Sequence, residues 1–248
     1  MSTILVTGGT GDLGRPTVDL LHRHGHDVRV LSRRPGPGHV VGDLDRDEHL
    51  ESAVEGVDAV IHLASNARKD LPATERLLAL SRAAGIRHFV YISIVGVDRI
   101  PYFYYRDKLA NERAIERSGV PHSILRATQF HSFPARLLDL QSRLPFLLGL
   151  DLPIQPIAEA EVAQRLVELV EAEPVGRAAD IGGPEIRRSR DLLERIRVAR
   201  GDRRRIRYIE LPGATFRAFR DGHHLTGLPG YGRQTFGEWL EANREPVR

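Results

Sequence analysis

The chain has 248 residues, 41% apolar and 28% charged, with no cysteine. That length can bury a sizeable core, and the lack of cysteine excludes a disulfide scaffold, thiolate-bound zinc, an iron–sulfur centre and a cysteine nucleophile. Formal net charge is +3 and only Lys69 and Lys108 are lysines, so the basic character is a compositional arginine bias, not a mark of nucleic-acid binding. No apolar run approaches the ~18 residues of a membrane span. The opening MSTILVTGG lacks the basic and long apolar regions of a secretory signal, so no membrane contact and a cytoplasmic location are expected.

The first 130 residues alternate short β-type runs with helix-type segments, which predicts an α/β fold with a parallel sheet covered on both faces. Strands are expected at Thr3–Thr7, His26–Ser32, Val40–Val41, Ala59–Leu63, His88–Ile94 and His122–Arg126. Helices are expected at Arg15–His24, Asp47–Val54, Ala73–Ala84 and Tyr104–Ser118. After Gln129 the alternation breaks. Leu137–Leu150 is apolar but interrupted by Pro145 and Gly149. Helices follow at Glu159–Glu171 and Ser189–Arg200, with strands at Ala178–Ile181 and Arg205–Leu211. Residues 1–130 are read as a nucleotide-binding core, and residues 131–248 as a smaller α/β region packed on it in one compact unit.

The first strand runs into Gly8, Gly9, Thr10, Gly11, Asp12, Leu13 and Gly14. Glycines at 8, 11 and 14 permit a tight turn and close backbone approach to a pyrophosphate. The following helix offers unpaired N–H groups and the positive end of its dipole. This context, strand before and helix after, makes the loop a dinucleotide site. Dinucleotide sites selective for NAD place an acid at the end of strand two to bond the ribose 2′-OH. Here Arg33 and Arg34 stand there with no acid, which favours NADP(H) over NAD(H), since guanidinium groups hold a 2′-phosphate. Asp43 and Leu44 follow strand three, where Asp43 is expected to meet the adenine. Ala64 and Ser65, after strand four, are expected to line the nucleotide's path.

Tyr104 and Lys108 lie four apart and share a helix face. A neighbouring Lys is expected to lower the phenol pKa and to hold the nicotinamide ribose. Glu112, one turn beyond Lys108, is expected either to orient it or to form a plain surface ion pair.

Together VTGGTGDLGRP, VRVLSRRP, GDL, YISIVGVD, YYRDKLANERAIERSGVPHSILRATQF and ADIGGPE resemble the atypical short-chain dehydrogenase/reductase family, in its NmrA-like NAD(P)H-binding branch. The resemblance spans almost the whole chain. It implies a Rossmann-type doubly wound sheet with a small C-terminal substrate region. It also implies NADP(H) at the carboxyl ends of the strands, with reductases and redox sensors among the members. Lys108 and Tyr104 would be catalytic. The triad hydroxyl falls to Ser93, or is absent if Val95 holds that position. Gln129, Phe130 and His131 would face the substrate, with His131 either a substrate-side acid or donor or a loop residue with no task. The function expected is NADPH-dependent reduction of a small carbonyl, quinone or enone. The alternatives are an NADP(H)-sensing regulator and a sugar-nucleotide epimerase or dehydratase using NAD. A small-molecule substrate is expected, with a homodimer possible and no nucleic acid.

Other features carry less. Phe130, Phe133, Leu137, Leu138 and Phe146 read as a pocket wall or as ordinary core. His22, His24 and His26 need not converge, so no metal is expected. The basic runs at 186–190 and 200–207 interleave with acids and read as a solvated face.

Overall fold

The computed structural model describes residues 1–46, 49–66 and 70–243. Seven parallel strands form the central sheet: β1 (Thr3–Thr7), β2 (Asp27–Ser32), β3 (His39–Val41), β4 (Ala59–His62), β5 (His88–Ile94), β6 (His122–Ala127) and β9 (Gly176–Arg177). Their order is β3-β2-β1-β4-β5-β6-β9. Successive residues of a strand point to opposite faces, so each continuous apolar run feeds two cores. Ile4, Val6, Ile61, Val90, Ile92 and Leu125 face one core. Leu5, Val60, Phe89, Tyr91 and Ile124 face the other.

Helices α1 (Gly14–Arg23) and α6 (Glu159–Glu171) cover the first face. Helices α2 (Leu50–Val54), α3 (Asp70–Ala83) and α4 (Phe103–Arg117) cover the second. The helix expected over 47–54 is present as Leu50–Val54; its first positions lie outside the described residues. Because α6 and β9 follow residue 130 in sequence, both sides of that position share one core.

The remaining elements are α5 (Ser132–Asp139), β7 (Leu147–Gly149), β8 (Pro153–Ile154), β10 (Arg187–Arg188), α7 (Ser189–Ala199), β11 (Ile206–Tyr208), α8 (Ala214–Arg220) and α9 (Phe236–Ala242). β7 pairs with β11 and β8 with β10. Leu138, Leu147, Leu192, Ile196 and Phe236 form their own core. The strand expected at Ala178–Ile181 is displaced: the ladder holds Gly176–Arg177, and Ile181 makes only an isolated bridge to Ala127. No helix of the described residues is long and apolar enough to cross a membrane.

Strand order reverses between β1 and β4, and a doubly wound sheet opens its crevice there, beyond the strands' carboxyl ends. The glycine loop, Ala64 and Ser65 all lie at that edge.

Candidate cofactor site

The loop after β1 is built by exclusion of side chains. Gly8 has φ +70°, and a Cβ there would sit 2.8 Å from the Ala64 backbone nitrogen. A Cβ on Gly14 would run into the backbone of Gly8 and Gly9. The turn closes with Gly11 N–H donating to Gly8 O at 3.0 Å, and α1 begins without a side-chain cap. The N–H groups of Asp12 and Leu13 have no hydrogen-bond partner among the described residues. Free N–H groups at a helix start, on a loop with no room for side chains, fit a pyrophosphate. Thr10, Gly11 and Asp12 are exposed beside it, while Leu13 is buried and anchors the turn.

Arg33 and Arg34 are exposed just beyond β2, and neither guanidinium has a partner among the described residues. The Asp43 carboxylate accepts from Asp45 N–H at 2.9 Å and so holds the turn after β3. Leu44 packs on the second core, and its carbonyl accepts from Arg76.

Lys108 is the unusual group. It is only 3% exposed. Its Nζ makes one long hydrogen bond, 3.5 Å to Ile92 O, and lies 4.8 Å from the Tyr91 ring centroid. No ion pair reaches it among the described residues. Burial lowers its pKa to about 8, against the pull of Asp70, Asp107 and Glu112. Glu112 does not orient it: both carboxylate oxygens are held by Arg126, at 2.8 and 2.6 Å, in a buried pair. Tyr104 shares the expected face, its ring 6.0 Å from Nζ. Its phenol lies 3.4 Å from Ser65 Oγ, which donates to Asp70 at 2.5 Å. The expected lowering of the phenol's pKa is corrected: burial raises it, and the bond to Ser65 only offsets this.

Ser93 is 3% exposed, two residues beyond Tyr91 on the same face of β5, and its hydroxyl has no partner among the described residues. Gln129 and Phe130 lead from β6; Phe130 packs against the first core and bridges to Ile157. His131 departs from its expected place at the substrate. It is fully buried, bonds Gln234 O at 3.1 Å, and packs among Phe236 and Trp239. Burial also lowers its pKa, and the ring is a core group of the C-terminal region.

Sequence reasoning missed the support beneath Lys108. Thr7 Oγ accepts from the N–H groups of Leu63 and Ala64, both at 3.2 Å. Its lone pairs are then filled, and its proton goes to His62 Nδ1 at 2.7 Å. His62 therefore carries hydrogen on Nε2 and donates to Thr74 Oγ at 3.1 Å. Its ring stacks on Tyr91 with centroids 5.6 Å apart, and the Tyr91 hydroxyl accepts from Asn111 at 3.0 Å. Burial, aided by Lys108, drives the His62 pKa down to about 3. A single His in an apolar strand gave no signal of this network.

His24 and His26 do converge, both on Oε1 of Glu171, at 2.8 and 3.0 Å. This joins the α1–β2 turn to the end of α6. A hollow of about 360 Å³ lies in the C-terminal region, but its Arg197, Arg200 and Arg204 are already ion-paired.

The NAD(P)H-binding family matches residues 8–173, and the chain belongs to that family. The expected Rossmann-type sheet and the expected NAD(P)H-binding family hold. An NADPH-dependent quinone oxidoreductase from Escherichia coli superposes with TM-score 0.77 over 96% of this chain and 98% of that one, at 16% identity. A nucleoside-diphosphate-sugar epimerase from Staphylococcus aureus gives TM-score 0.77 over 96% and 99%, at 17% identity. These likenesses are of fold. In sequence, a (4-alkanoyl-5-oxo-2,5-dihydrofuran-3-yl)methyl phosphate reductase from Streptomyces griseus is 37% identical over 139 residues, 52% of this chain and 48% of that protein. The chain spans about half the length of the curated relatives it matches.

Proposed function

We propose that the protein is an NADPH-dependent oxidoreductase acting on a small carbonyl, quinone or enone. The carrying observation is Lys108, a buried ammonium with no ion pair among the described residues, at the carboxyl end of β5 and beside Tyr104. Its unused N–H donors suit the ribose hydroxyls, and its charge stabilises the negative charge that develops on an acceptor oxygen. Arg33 and Arg34 hold the 2′-phosphate. Bound NADPH supplies hydride from its nicotinamide. Tyr104 gives its phenol proton to the acceptor oxygen, and Ser65, which donates to Asp70, stands beside the phenol and orients it. Ser93, with its unpartnered hydroxyl, is the third polar group at β5, and Gln129 and Phe130 flank the substrate. The names of the Streptomyces reductase and the E. coli quinone oxidoreductase agree in pointing to conjugated acceptors.

Fluorescence titration with NADPH and NADH, then a screen of quinones, aldehydes and enones, tests this. NADPH is expected to bind more tightly, and Arg33→Ala to erase that preference. Lys108→Ala is expected to cut turnover by roughly 100-fold or more. Preference for NADH would instead favour the epimerase reading, and unchanged turnover in Lys108→Ala would sink the mechanism. One observation favours a second reading. The Tyr104 phenol is made a weaker acid by burial, which suits a sensor that binds NADPH and NADP⁺ unequally without turnover. Steady NADPH oxidation by any acceptor removes that reading.

A further inference from the structure

We infer that Arg136, on α5, is a ligand for the cofactor's pyrophosphate, held ready beside the glycine loop by Asp12. The inference rests on the cofactor reading of that loop.

The loop presents free N–H groups to an anion yet carries an acid of its own. Asp12 stands on the very turn where the pyrophosphate would sit, and an uncompensated carboxylate there would repel it. Its partner is Arg136 Nη1, at 2.9 Å, from a residue 124 positions away. The two side chains are 50% and 70% exposed, and an ion pair so wet adds little to stability. Its consequence is positional: it brings a cation to the loop. The other arginine at the loop, Arg15, spends its Nε on Thr10 O at 3.0 Å. Arg136 uses one of its five N–H donors on Asp12 and keeps the rest for phosphate oxygens.

Helix geometry adds a second consequence. Positions 133, 136, 137 and 140 share one face of α5. Phe133, Leu137 and Leu140 are exposed there, while Pro134 and Leu138 are buried on the other side. When Arg136 grips the pyrophosphate, Phe133 and Leu137 flank it on the cofactor's side of the helix.

A double-mutant cycle on dinucleotide affinity tests this. Arg136→Ala is expected to raise the Kd for NADPH and for NADH alike by roughly ten- to a hundredfold, because both carry the pyrophosphate. Arg136→Lys should recover part of the loss. Adenosine 2′-monophosphate, which lacks the pyrophosphate, should bind Arg136→Ala as it binds the wild type and should bind Arg33→Ala more weakly. Asp12→Asn removes both the repelling charge and the tether of Arg136, so it serves as a background and not as a test by itself. The deciding arm is Arg136→Ala in the Asp12→Asn background. A loss that persists there, even if reduced, supports direct phosphate contact. No loss there shows that Arg136 merely neutralised Asp12 and overturns the inference. Wild-type protein that binds neither dinucleotide overturns the cofactor reading and the inference together. Normal wild-type binding with an unaffected Arg136→Ala, its melting temperature unchanged, overturns the inference alone.

Discussion

A buried lysine with no ion pair among the described residues is a cost to the fold, and Lys108 shows its sign. Burial lowers its pKa from 10.5 to about 8. Between those two values the unfolded chain binds a proton that the folded chain does not, so the stability of the wild type rises with pH across that window. Below pH 8 the full cost is present, roughly 3 kcal/mol. Lys108→Met is therefore expected to raise the melting temperature at pH 7, to lose that advantage between pH 8 and 10.5, and to abolish turnover. Equal melting temperatures at pH 7 would mean that the ammonium has a partner after all. Stability gained where activity is lost is the mark of a group placed for a ligand. At this scale the sequence was informative where backbone shape or side-chain spacing decides the chemistry. Gly8 and Gly14 admit no side chain, and Tyr104 and Lys108 meet because four residues make a helical turn. It was silent where contact depends on the folded whole. His62 reaches Thr7 and Thr74 across 55 and 12 positions, and the Glu112 carboxylate was claimed by an arginine on a strand no local pattern links to it.

Helix α4 carries both Tyr104 and Lys108, so its seating on the sheet sets the site. Arg126 on β6 donates to both oxygens of Glu112 on α4, and their side chains are 4% and 3% exposed. Arg126 also reaches Asp98, in the segment between β5 and α4, at 3.0 Å. Arg126→Ala leaves the Glu112 charge buried and unpaired, for an expected loss of about 3–5 kcal/mol by chemical denaturation. Replacing both partners, as Arg126→Met with Glu112→Leu, should recover most of it. The half-exposed Asp98 contributes little, and Asp98→Asn should cost less than about 1 kcal/mol. A double variant as unstable as Arg126→Ala would show that the site is too tight for an apolar pair. The strands and core helices of the first 130 residues were legible because apolar periodicity and terminal glycines agree there. Helices α5, α8 and α9 were not. Each is eight residues or fewer, too short to show a periodicity, and each is held by packing against the chain rather than by its own propensity. β9 has two residues and exists only because β6 offers an edge.

Across the whole molecule, buried histidines set the response to acid. Burial lowers the pKa of His62, His88, His131 and His224 below 6.5, and that of His62 to about 3. His62 is neutral in the fold and burial disfavours protonation of the other three, while each ring titrates near 6.5 once unfolded. As pH falls below 6.5 the unfolded chain takes up protons that the folded chain refuses, so stability falls, by up to about 1.4 kcal/mol per pH unit for each fully excluded ring. The carboxylates held low by hydrogen bonds and arginines, such as Asp58, Asp98, Asp151 and Asp202, act in the same direction. Their unfolded values lie near 4, so they add nothing until the pH is well below 5. The melting temperature is therefore expected to hold from pH 8 to about 6.5 and to drop by several degrees between 6.5 and 5, well above the range where carboxylates protonate. His62→Gln can still bond Thr7 and Thr74 but has no proton to refuse, so it should flatten part of that drop. A melting temperature constant from pH 7 to 5 would show that these rings take up protons as readily in the fold as outside it. A drop confined to pH below 4.5 would assign acid sensitivity to the carboxylates alone.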